Sequence, residues 1–402
     1  MMIPCISIMI IFPVMSLLTS RTILFAKSGE SIICTPLLLF VVHYICCRCI
    51  HIGRFHTFLT IICYFTIITK LSTDGGNLLK KYLFLLCFLF LLAGCNENSY
   101  TPIAKHKSVV ITTNIKEGSI SFIDKKLKKV IASWELQEPI TGVTILPNGE
   151  DMLVYGKQLE YIYIYSLTEG KQMKKWKTGK GIANIIVAND GKQLFLADQN
   201  EQKIRFFTMD GKEIGNVPVA KGPLTMVQHH KNLYVLNFYD TELSTIDLEK
   251  KQVKQSFIVP PASTGAMVSS DGKEIWIGGH GDGKQVNEKV LVYSLRNGEM
   301  LRSLHAPFMP ISISGDGKFV YVLSHGSNML RKFDAGTYRE VGATEVGSNP
   351  FAFLKSGEEE GYVASYDSDE VYIIDIKDMK IKQTVAVGKG PFHLTEREER
   401  EK

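Results

Sequence analysis

The fold turns on the stretch Ile311–Pro350, "ISISGDGKFVYVLSHGSNMLRKFDAGTYREVGATEVGSNP". "ISIS" is a short apolar strand and "GDGK" a turn, because Asp-Gly tolerates the positive φ of tight β-hairpins. A marker strand, "VYVLS", follows, then a polar loop, "HGSN", and a second strand, "MLRKFD". The same order recurs along the chain. The marker strands read "VVITT", "MLVYG", "LFLAD", "LYVLN", "IWIGG", "VYVLS" and "GYVAS". Their second residues, Val110, Leu153, Phe195, Tyr234, Trp276, Tyr321 and Tyr362, are spaced by 43, 42, 39, 42, 45 and 41.

Each marker is followed by a second strand, from "SISFID" to "EVYIID", and then by a more polar third, as in "KVIASWEL" and "KQTVAVG". Five of the seven markers are preceded by a Gly-containing hairpin turn, and the turns by short apolar strands such as "GVTIL" and "FAFL". Four strands every ~42 residues, with no helical period, is the pattern of a β-propeller blade. The first repeat lacks its opening strand, since Thr101–Lys107 is polar and holds a Pro. Phe392–Thr395, in "GKGPFHLTE", matches an opening strand and has no blade of its own. The expectation is an all-β domain over residues 108–395, a seven-bladed β-propeller of four-stranded antiparallel blades. The C-terminal strand completes blade 1 and leaves no long unpaired edge. Residues 396–402 read as a charged tail.

"VYVLSHGSN" with "GDGK" before it and "VGSNP" after it resembles the YVTN-type propeller repeat, as do "GYVASYDSDEVYIID" and "VAVGKGP". Blades 1, 2 and 4 carry the resemblance loosely, and no blade has the Gly-His or Trp-Asp pairs of WD40 repeats. The resemblance implies a fold grouped with quinoprotein-amine-dehydrogenase-like propellers and a place on a bacterial or archaeal surface.

All eight cysteines lie at or before Cys95, so the repeat region can hold neither a disulfide nor a thiolate metal site. Residues 1–94 carry seven Lys/Arg against two Asp/Glu, which is the whole chain's net charge of +5. The neutral remainder gives no electrostatic reason to expect nucleic acid as a partner. "LLKKYLFLLCFLFLLAGCNENSY", Leu78–Tyr100, has the parts of an export signal: Lys80-Lys81, an apolar run too short to span a bilayer, and a small-residue junction. Leu92-Ala93-Gly94-Cys95 resembles the bacterial lipobox. The resemblance implies cleavage between Gly94 and Cys95, diacylglycerol on the Cys95 thiol and lipid anchoring on the extracytoplasmic face, where two acyl chains make attachment stable. Residues 79–94 are then the signal peptide and 95–107 the lipidated Cys and linker. Residues 1–78 lack the Lys/Arg flanks and caps of membrane spans. They read as an over-called start, the alternative being two or three hydrophobic membrane segments.

Function concentrates on loops held by a rigid frame. The loops leaving the marker strands share one face with the blade connections, and they supply the candidate binding residues Asp198, Tyr239, Asp240, His280, Asp282, His325, Asp367 and Asp369. His280 and His325 occupy the same position in adjacent blades with Asp282 nearby, a set that could hold a metal; the bland reading is two ordinary loop histidines. No cofactor motif is present: there is no Gly-x-Ser-x-Gly elbow, and no helix follows "GHGDGK" to make a phosphate loop. The expected protein is a monomeric binding or scaffold module for an extracellular protein or small ligand, with a lactonase-like or metal-dependent enzyme as the alternative. Labelled palmitate is expected in the wild-type chain and absent from Cys95→Ala; equal labelling of both would refute the lipobox.

Overall fold

The computed structural model describes residues 99–399, which contain twenty-eight strands, β1 (Val109–Asn114) to β28 (Pro391–Arg397). They form seven four-stranded antiparallel sheets. In six the strands follow chain order. The seventh is ordered β28, β1, β2 (Ser119–Asp124), β3 (Lys129–Glu135), so the last strand completes the first blade. The innermost strands, β4 (Gly142–Ile145), β8 (Ile182–Val187), β12 (Pro223–His229), β16 (Ser263–Val268), β20 (Pro310–Gly315), β24 (Pro350–Ser356) and β28, neighbour one another in sequence around the ring.

Each blade offers both faces to its neighbours, so its middle strands are apolar on both sides. β1 and β2 are buried at every residue, whereas the outer strand β7 (Lys171–Lys177) is mostly exposed. Cores form between blades. Trp276, Val290 and Val292 pack with Val320, Val322 and Phe333 between blades 5 and 6. Val110 and Ile123 pack with Tyr362, Val371 and Ile373 between blades 1 and 7. Each fully buried large side chain contributes roughly 1.5–3 kcal/mol. The turns between the second and third strands are held by Asx caps: Asp124 Oδ1 accepts the N–H groups of Lys126 and Leu127, and Asp247, Asp334 and Asp375 do the same in their blades.

Pairing corrects the repeat alignment in blade 1. Asn114 faces Pro391 as Asn237 faces Pro223 and Ser324 faces Pro310. The equivalent of Tyr234 is therefore Ile111 and not Val110, and the first interval is 42 residues. "VVITTN" is apolar at both 110 and 111, so its pattern cannot set the register. A polar clamp fixes it instead. Asn114 Nδ2 donates to the hydroxyls of Ser119 and Ser121, 2.9 Å each, as Asn237 Nδ2 does to Ser244 Oγ at 3.0 Å.

The segment before β1 lies on blades 1 and 2. Tyr100 stacks on Trp134 with centroids 5.2 Å apart, and Ile103 is buried. Arg397, 3% exposed at the end of β28, donates to the carbonyls of Ile103, Ala104 and Lys107. Near the channel, Gly142 leaves room for the Tyr155 side chain, whose hydroxyl would meet a Cβ there at 2.3 Å. Tyr155 lies beside His393 of β28, with centroids 6.4 Å apart. Surrounding protein lowers the His393 imidazole from 6.5 to about 4, and its Nδ1 has no partner.

Two outcomes are expected. Deleting Phe392 onward should lower the melting temperature sharply, and Arg397→Met should cost about 1–3 kcal/mol by removing the donor to the buried Ile103 carbonyl and to those of Ala104 and Lys107. A truncated chain that melts unchanged would mean that the ring closes some other way. Between pH 6.5 and about 4 the unfolded chain holds a proton on His393 that the folded one does not, so stability is full above 6.5 and falls as pH drops through that window. Urea unfolding of His393→Gln should show a flatter profile there, and an equally steep one would assign the slope elsewhere.

Candidate functional site

Antiparallel alternation brings the loops after the marker strands and the blade connections to one end of the ring. Seven residues stand there, each four past its marker residue: Ile115, Lys157, Gln199, Phe238, His280, His325 and Tyr366. Six donate their backbone N–H to the residue preceding their blade's inner strand. The bonds are Ile115 to Gly390, Gln199 to Gly181, Phe238 to Gly222, His280 to Ala262, His325 to Met309 and Tyr366 to Asn349, all 2.7–3.1 Å. The backbone frame is repeated, and the side chains on it are not.

Blades 4 to 7, joined by Phe392 of blade 1, carry an aromatic crescent. Phe238 meets His280 with ring centroids 5.8 Å apart, His280 meets His325 at 5.9 Å, and His325 meets Phe351 at 4.5 Å. Phe351 also touches Tyr366 at 5.3 Å and Phe392 at 4.8 Å. All six rings are partly exposed. The remaining blades present Ile115, Lys157 and Gln199. Two ammonium groups flank the crescent: Lys116 Nζ is 4.1 Å from the Tyr366 ring and Lys157 Nζ 5.9 Å from the Tyr239 ring. Burial, reinforced by the charge of His325, lowers His280; burial lowers His325 as well, against the pull of the Pro350 carbonyl. Both shifts favour the uncharged imidazole.

The acidic candidates are committed elsewhere. Asp198, 1% exposed, pairs with Arg205 at 3.1 Å and accepts the Glu201 N–H. Asp240 accepts the N–H of Thr241, and Asp282 those of Lys284 and Gln285 within its own loop. That loop closes as a small hairpin through the Gly281–Val286 bridge. Asp367 pairs with Lys116 at 3.0 Å and accepts from Asn349, while Asp369 accepts the Gly390 N–H at 2.8 Å. Tyr239 is 63% exposed at the mouth. The two histidines are brought together as their equivalent positions suggested, but Asp282 does not join them. Among the described residues no group of three or more His, Cys, Asp or Glu side chains is placed to hold a metal. Cys95 and Gly94 lie outside the described residues.

Sequence reasoning passed over Phe238 and Tyr366, which hold the same position as the histidines, and Phe351 and Phe392, each following the Pro that opens an inner strand. The signal was available in "NPFAF" and "GPFHL". At the opposite end a cleft of about 310 Å³ opens between blades 5 and 6, where Tyr338 stacks on Trp276 and donates to Glu274.

The chain matches no family model and no curated protein. Solved structures do resemble it. A functionally unknown protein from Desulfotomaculum acetoxidans is 13% identical with a TM-score of 0.62, covering 72% of this chain and 99% of that one. Kuenenia stuttgartiensis hydrazine synthase is 15% identical with a TM-score of 0.58, covering 70% and 99%. Citrobacter koseri AztD in its apo form is 12% identical with a TM-score of 0.51, covering 72% and 98%. At such identities the likeness establishes the propeller fold and nothing finer.

Proposed function

We propose that this protein is a membrane-anchored, extracytoplasmic binding module whose ligand is held at the channel mouth by the crescent from Phe238 to Tyr366. One observation carries the reading. The mouth holds partly exposed rings and uncharged imidazoles, while every carboxylate singled out there is tied to an Arg, a Lys or a loop N–H. General acid–base chemistry by a carboxylate needs one that is free to reach substrate, and none of these is. Recognition needs a rigid apolar surface with a few polar handles, which this face has. The lipobox-like junction supports the anchoring. With lipid on Cys95, only residues 96–98 would separate the anchor from Ser99, which is bridged to Lys171 of β7.

Immobilised protein offered envelope extract of the producing cell is expected to retain a species identifiable by mass spectrometry. Phe238→Ala combined with Phe351→Ala should lose it, while Asp271→Asn at the opposite cleft should keep it. Equal retention by the crescent variant would overturn the reading.

A further inference from the structure

We infer that His280 and His325 form a two-coordinate seat for a copper(I) ion. This rests on the crescent being the ligand face and names the chemistry it selects. The two rings stand on neighbouring blades with centroids 5.9 Å apart and planes at 66°. A metal ion near 2 Å from one nitrogen of each ring, with each centroid about 1 Å behind its nitrogen, separates the centroids by about 6 Å when the nitrogens lie nearly opposite. The backbone bonds of His280 to Ala262 and His325 to Met309 fix both Cα positions, so the spacing belongs to the frame.

The donor state of the rings agrees. His325 Nδ1 faces the Pro350 carbonyl at 3.3 Å, which holds the proton on Nδ1 and leaves Nε2 as a lone-pair donor. His280 Nδ1 is sealed from solvent and has no hydrogen-bond partner. Phe351 against His325 and Phe238 against His280 wall the pair with rings that cannot hydrogen-bond.

The set discriminates among metals. Calcium and magnesium need six or more oxygens. Zinc takes four ligands, and no third His, Cys, Asp or Glu is grouped with these two among the described residues. Copper(I) has a filled d shell, accepts two nearly opposite imidazole nitrogens without further ligands, and suits uncharged donors in an apolar wall. Asp367, whose charge reaches His325, is paired with Lys116, and Asp282 is held by loop N–H groups, so neither carboxylate is free to ligate the ion.

The test uses the full chain with its thiols blocked by N-ethylmaleimide, since all eight cysteines precede the described residues. Copper(I) presented without oxygen as its acetonitrile complex should transfer to the protein at one ion per chain. X-ray absorption of that product should show two nitrogen neighbours at about 2 Å. His280→Gln and His325→Gln should each abolish transfer while melting like the wild type, and Asp282→Asn should leave it intact. Transfer that survives either histidine change, or no transfer to the wild type, overturns the seat. If copper(I) fails while the crescent variants still lose their captured species, the metal falls and the binding module stands.

Discussion

The pairing of β28 with β1 is the constraint on which the rest of the structure depends. Blades in a ring stabilise one another face to face, so a ring open at one point loses an interface and exposes a strand edge. Here the closing strand adds to blade 1 at the boundary where Val110 and Ile123 meet Tyr362 and Ile373. It also brings Phe392 to the mouth and His393 to the channel, and its Arg397 ties down the chain that enters the domain. One strand thus serves closure, the aromatic mouth and the N-terminal clasp together.

The ring is regular in its backbone and irregular in its chemistry. The same N–H to carbonyl bond recurs in six blades at the position that faces the mouth, yet the side chains there run from isoleucine through lysine and glutamine to four aromatic or imidazole rings. An average over repeats would erase this division. The crescent is legible only where blades differ.

Fold and site were therefore legible to different degrees. Marker strands and Asp-Gly turns announced the blades, and the unpaired strand at Phe392 announced the closure. Blade 1 slipped by one residue, since two adjacent apolar positions, Val110 and Ile111, cannot be told apart by alternation when both faces are buried. At the mouth, His280 and His325 stood out by chemical type, whereas Phe238 and Tyr366 open polar loops in which Tyr239 and the aspartates drew the reading instead. Aspartates in polar loops read as ligands for an outside partner, but such loops need acceptors for their own N–H groups, and Asp282 and Asp369 are spent that way.

The strand order carries a consequence in time. A chain is made from its N-terminus, so β28 is the last of the twenty-eight strands to leave the ribosome. Until residues 391–397 emerge, blade 1 is a three-stranded sheet, and no amount of folding in the other six blades can close the ring. The nascent polypeptide stays incomplete for the whole of its synthesis.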